Sequence, residues 1–217
     1  IHDAEDADIY DKFSRKFGEG GVREYADNLT ELMLDKFFDF GSDDFKIRLA
    51  KRSDERAKQT DQDVIQMNKD ITDYVVKVLR DQYGTTSGKS GQPAYWDKGV
   101  ESPKIKQEAY ARMVNDGSKH PPEVYVDVLG IKEIVTQKSN WPHFEDVFNI
   151  PMKGEAKGKA HYVGWLARFN EIRRIQAHSS GVRTYEEADY EFMKHIRFEF
   201  YKKRNAVLGI EDVEPEA

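Results

Sequence analysis

One stretch of this sequence gathers side chains able to hold a phosphate and to move a proton. Asn170, Arg173, Arg174 and His178 lie within Trp165-Leu-Ala-Arg168-Phe169-Asn170-Glu171-Ile-Arg173-Arg174-Ile-Gln-Ala177-His178. A guanidinium presents a planar fork of donors suited to phosphate oxygens, and an imidazole gains and loses a proton near neutral pH. Tyr162, Trp165, Leu166, Phe169, Ile172 and Ile175 recur at the three- and four-residue spacing of one helical face. At about 100° per residue, Asn170, Arg174 and His178 form an i, i+4, i+8 line beside that face. Arg173 sits next to the line, on its far side from the apolar face. Ser179-Ser-Gly181 breaks the pattern, which leaves His178 in the last turn, near solvent and near the negative end of the helix dipole.

The elements that must position this stretch also read as helices. Ile9, Phe13 and Phe17 give a short amphipathic helix over residues 3–17, and Tyr25, Leu29, Leu32, Met33 and Phe37 give a second over residues 22–38. Ser42, followed by Asp43 and Asp44, caps a third. Residues 45–59 are polar and charge-rich, and Thr60-Asp-Gln-Asp63 reads as a fresh start before the stripe Val64, Met67, Ile71, Val75 and Val78. The pattern leaves open whether residues 45–83 are one helix or two.

Gly84-Thr-Thr-Ser-Gly88-Lys89-Ser90-Gly-Gln-Pro93 is the one low-complexity stretch and reads as loop. Gly88-Lys89-Ser90 resembles the end of a phosphate-binding P-loop. That motif needs four residues between its glycines and a preceding strand, whereas three separate Gly84 from Gly88 and the preceding pattern is helical. Ser102-Pro103 then starts a helix to Asn115, His120-Pro-Pro122 breaks the chain, and residues 125–138 form a short apolar helix. Asn140-Trp141-Pro142 opens a brief helix carrying Phe144, Val147 and Phe148, and Lys153 to Lys159 forms a basic loop. Thr184 caps a last helix with Tyr185, Ala188, Phe192, His195 or Ile196, Phe198 and Phe200 inward. It begins acidic and ends in Lys202-Lys203-Arg204. The fold class is all-α, a helical bundle with an N-terminal helical extension and an antiparallel helix pair around His178. The segments are a helical region 1–84, a linker 85–100, a helical domain 101–209 and an acidic tail 210–217.

Bulk properties narrow the function classes. The 217 residues are 38% hydrophobic and 34% charged, with a net charge of −6. No apolar run of about 18 residues suggests a membrane span. The acidic start, Asp3 to Asp11, is the wrong sign for a signal peptide. The absence of cysteine removes disulfides, zinc–thiolate sites and thiol nucleophiles, and fits a cytoplasmic protein. No histidine pairs with a carboxylate at metal-ligand spacing, so neither a metal nor another cofactor is expected. His120, His143 and His161 read as surface residues, and His195 as packing on the last helix. The first residue is Ile rather than Met, which suggests a piece cut from a longer parent chain with other domains. From Lys153 to Arg204, twelve basic residues face seven acidic ones, so Lys157, Lys159, Arg174 and Arg183 join the candidate phosphate surface. A merely solvated helix surface is the bland alternative.

An arginine spaced before a histidine is by itself a cheap pattern, but Asn170-Glu171-Ile-Arg173-Arg174-Ile-Gln-Ala177-His178 is a fuller one. It resembles the motif of the HEPN superfamily of small helical domains, with Arg174 where the family usually carries Asn. The resemblance covers residues 124–204 and takes in Asn140, Trp141, Phe144, Val147 and Phe148 upstream; residues 1–120 carry none. What it implies is a bundle that forms a homodimer and cuts RNA without a metal. His178 would be the general acid or base, Arg173 the phosphate holder and Asn170 an orienting group. Phage defence is the implied setting. Many such domains are inactive, so the second expectation is a non-catalytic dimerisation or protein-interaction module of a larger nucleic-acid-processing protein.

Overall fold

The computed structural model describes residues 43–87, 91–152, 158–177 and 185–210. The two helices expected before residue 42, the Ser42 cap and the acidic tail beyond 210 lie outside them. The chain divides into two units, Ile1–Lys58 and Gln59–Ala217. Helix α1, Asp43–Tyr83, is continuous, so Thr60 is not a helix start. It is instead buried among the residues that open the second unit's inward stripe. In the first unit the described part of α1 is exposed and polar, with Lys51 and Glu55 paired one turn apart at 3.8 Å.

The second unit is built from helices among its described residues. After α1 come α2 (Ala94–Gly99), α3 (Pro103–Asn115), a 3-10 turn (Pro122–Tyr125), α4 (Val128–Thr136) and α5 (Trp141–Phe148). The chain continues as α6 (Lys159–Tyr162), α7 (Trp165–Ala177) and α8 (Glu187–Leu208). An isolated bridge between Ser87 and Pro93 closes the glycine-rich loop. Residues expected to link two regions contribute to the core instead: Tyr95, Trp96 and Val100 are buried in the same apolar cluster as α1 and α8, and Ala94 is buried beside them in sequence.

Aromatic rings fill the centre of this unit. Phe148 of α5 stacks on Trp165 of α7 at 5.9 Å and meets Phe200 of α8 at 6.0 Å, Tyr74 of α1 at 6.1 Å and Phe144 at 5.7 Å. The Trp165 indole N–H donates to the Phe148 carbonyl at 3.2 Å, so the ring buries no unsatisfied donor. Trp165 meets Phe200 while Arg168 meets Asp189, so rising numbers on α7 pair with falling numbers on α8, and the two helices are antiparallel. The hydroxyl of Tyr201 donates to Asp70 at 2.7 Å, and Arg197 bonds to Asp63 on the same α1–α8 seam. Here the numbers rise together, so α1 and α8 run the same way.

Two buried polar groups fix the helix ends. Asn140, with no exposed surface, donates through Nδ2 to the carbonyls of Gly99 at 2.7 Å and Ile134 at 2.8 Å. Its Oδ1 accepts the Tyr83 hydroxyl at 2.7 Å. Asn140 stands at the N-cap position of α5 without capping it, because the whole amide is spent on α1, α2 and α4. Glu123, 5% exposed, accepts from the Tyr95 hydroxyl at 2.6 Å and from Arg80 at 2.9 Å. Burial first, then the Glu123 carboxylate, hold the Tyr95 phenol above its ordinary pKa.

Sequence periodicity misplaced Ala188 and Phe198, and of the alternatives His195 and Ile196 it is Ile196 that turns inward. Phe198 is 63% exposed, and Ala188 and His195 are also exposed, whereas Phe192, Met193, Ile196 and Phe200 turn inward. Residues 192, 196 and 200 repeat every four positions, and Phe198 lies about 200° from its neighbours two residues away. Tyr162 belongs to the separate turn α6, because Val163-Gly164 interrupts the helix before Trp165.

Replacing Asn140 with Ala strips partners from Tyr83, Gly99 and Ile134 together. The expected loss is about 3 kcal/mol, a fall in Tm on the order of 10 °C by thermal circular dichroism. A fall below about 2 °C would show that water replaces the amide at little cost.

Candidate functional site at the end of α7

Helix α7 is anchored by its apolar face: Trp165, Leu166, Phe169, Ile172 and Ile175 are all buried. It packs against α4, whose Ile131, Ile134 and Val135 belong to the same core. That packing turns the candidate side chains outward by degrees. Asn170 and Arg173 are half-buried, while Arg174 in the last turn is exposed. The described part of α7 ends at Ala177; His178, Arg183 and Lys157 lie outside the described residues.

Arg168 and Lys159 of the basic segment are committed elsewhere. Arg168 pairs with Glu171 at 2.9 Å and with the buried carboxylate of Asp189 on α8. Asp189 in turn accepts the Glu186 N–H at 2.9 Å within a capping box that starts α8. Lys159 donates to the Thr136 carbonyl at 2.9 Å, and its ammonium lies 5.6 Å from the centre of the Trp141 ring. It therefore closes the C-terminal end of α4 and is not gathered with Arg173 and Arg174.

A carboxylate that the sequence reading passed over caps α4, the helix against which α7 packs. Asp127 caps α4: its Oδ1 accepts the Gly130 N–H at 2.7 Å, and its Oδ2 accepts from Arg112 at 3.0 Å. Arg112 also donates to the Tyr125 carbonyl at 2.9 Å, which fixes the guanidinium against the 3-10 turn. Burial alone would push the Asp127 carboxyl up. The Gly130 N–H and Arg112, with a smaller contribution from the Arg173 charge, outweigh it and hold the carboxyl below its ordinary value. Gly130 is part of the device, since a Cβ there would meet Val126 Cγ1 at 2.9 Å and Asp127 Oδ1 at 3.3 Å. A polar residue directly before the apolar run 128–135 is an N-cap signal legible in sequence. Its nearness to Arg173 comes from the packing of α4 on α7.

His161, expected at the surface, is half-buried. His120, His143 and His195 are exposed, and the His120 ring lies 6.4 Å from that of Tyr125. Among the described residues no three His, Asp or Glu side chains converge, and no helix is long and apolar enough to cross a membrane. No protein-family model, curated protein or solved structure matches the chain.

The lowered carboxyl gives a pH prediction. Its stabilising effect is fully present above the unfolded value of about 3.9 and is lost as pH falls through the lower folded value. Asp127→Ala is expected to cost about 1 kcal/mol at pH 7, a difference that shrinks toward pH 3. Urea unfolding of both proteins across that range measures it. A cost that stays constant with pH would show that the cap, without the charge, accounts for the whole effect.

Proposed function

We propose that this chain carries an HEPN-like domain that holds RNA at the C-terminal end of α7 and cuts it without a metal, as a homodimer. The supporting observation is how the arginines of the second unit are used. Arg80, Arg112, Arg168, Arg197 and Arg204 each pair with a carboxylate. Arg173 and Arg174 make no hydrogen bond or ion pair with any described residue. Two adjacent guanidiniums without a hydrogen bond or ion pair to the described residues, at one helix end, form a ready clamp for a phosphodiester.

In this reading Arg173 and Arg174 hold the phosphate, and Arg173 stabilises the charge that grows on it during attack. His178 takes the proton of the ribose 2′-hydroxyl, whose oxygen attacks phosphorus while the 5′-oxygen leaves with a proton returned from imidazole. Asn170, one turn before Arg174, orients the reacting groups. Lys157 and Arg183 extend the phosphate track along the strand, and no cofactor is required. The cytoplasm is the setting, within a defence protein.

Arg174, where the resembled motif usually has Asn, favours a second reading: a dimerisation module of a nucleic-acid-processing protein that does not cut. Incubation of the chain with a mixed RNA pool in EDTA, beside a sizing run, separates the two. Cleavage by the wild type, falling at least about 100-fold in His178→Ala and Arg173→Ala of unchanged size, is the expected result. A dimer without cleavage supports the second reading. An inactive monomer would overturn both.

A further inference from the structure

We infer that a second copy of this chain packs antiparallel along the outer face of α8, about a two-fold axis level with the midpoint between Ile196 and Arg197. This surface supplies the contact for the homodimer proposed above, on which the inference rests.

The inward face of α8 is spent on the core, through Phe192, Met193, Ile196 and Phe200. The opposite face carries Ala188, Glu191, His195, Phe198 and Lys202, all exposed, and the half-buried Asn205. Their alternating spacing of three and four residues is the seam along which one helix packs on another. Of the Phe, Tyr and Trp side chains that the structure describes, Phe198 alone is exposed, and it stands near the middle of this seam. The charges beside it are also left over. On the outer face of α1, Lys69 pairs with Asp73 at 2.9 Å and Lys77 with Asp81 at 2.6 Å, each one turn apart. Glu191 and Lys202 form no ion pair with any described residue, and the Lys202 ammonium lies 5.6 Å from the centre of the Phe198 ring.

A second α8 answers both features at once. With the two-fold axis at that midpoint, Glu191 lies level with the second copy's Lys202, and His195 with the second copy's Phe198. Ala188 lies level with the second copy's Asn205, and symmetry makes each contact twice. Both Phe198 rings leave water between two pairs of opposite charges. A slide of one seven-residue repeat either way sets Glu191 against His195 or Gly209 and takes the carboxylate from Lys202. A parallel pair in register sets Glu191 against Glu191 and Lys202 against Lys202, which repel. Charge complementarity therefore selects a copy of the same helix, in one direction and one register.

The test is sedimentation equilibrium of the whole chain between about 1 and 300 µM. One helix pair is a small interface, so the wild type is expected to pass from monomer to dimer within that range. Glu191→Lys and Lys202→Glu each place like charges together twice in the seam, and each should weaken the dimer at least about tenfold. Phe198→Ala should weaken it by a similar factor. Glu191→Lys and Lys202→Glu combined exchange the two charges and should restore association to within about threefold of the wild type. All of these side chains are exposed, and far-UV circular dichroism checks that each variant keeps its helices. A double variant as weak as the single ones overturns the antiparallel register. A dimer indifferent to every substitution overturns the assignment to α8 alone and leaves the homodimer to another surface. A wild type that stays monomeric overturns the surface and the homodimer together.

Discussion

The arrangement of the second unit depends on one buried amide. Asn140 has two donors and one acceptor with no exposed surface, and each is met by a different segment: Gly99 at the end of α2, Ile134 in α4 and Tyr83 at the end of α1. A helix end that runs into a core carries carbonyls with no partner in its own helix. An amide side chain is among the few groups that can take two such carbonyls and return an acceptor. Three segments far apart in sequence are thereby brought to one point. Helix α5 starts from that point, which sets where Phe144 and Phe148 enter the aromatic centre.

Helix α4 is the element through which this constraint reaches the candidate site. Only nine residues long, it would not hold its shape alone. Asn140 and Lys159 take carbonyls near its C-terminal end, and Asp127 takes the Gly130 N–H at its start. With both ends satisfied it presents a firm apolar surface, and α7 lies against it. Arg168, bonded to the acidic start of α8, sets α7 from the other side. Arg173 and Arg174 then face outward because their neighbours Ile172 and Ile175 face inward.

Helical periodicity made much of this legible in the sequence. The stripe from Val64 to Val78 matches a buried surface up to Val75, with Val78 half-buried beside the buried Leu79, and Trp165 to Ile175 match another, since a 3.6-residue repeat is a direct record of which face meets a core. Periodicity has nothing to say where an element is shorter than its own period can establish. Trp96 sits in a six-residue helix beside a glycine-rich loop, so its bulk and apolarity, not a repeat, marked it as a core residue. Lys159 and Asp127 failed to stand out for a different reason. Each works through a partner brought close by tertiary packing: Lys159 through Thr136 and Trp141, Asp127 through Arg112 and Arg173. A charge run in sequence tells where cations are, but not which of them the fold has already used.

Gly130 carries a constraint on heredity. Glycine within a helix is weaker than alanine by about 1 kcal/mol, so this position would ordinarily drift toward larger residues. Here a methyl group would strike the stiff side chain of Val126 and crowd the carboxylate of Asp127. Position 130 is therefore tied to two neighbours at once: a larger residue there requires both a smaller side chain at 126 and a displaced carboxylate at 127, so losing the cap alone does not open it.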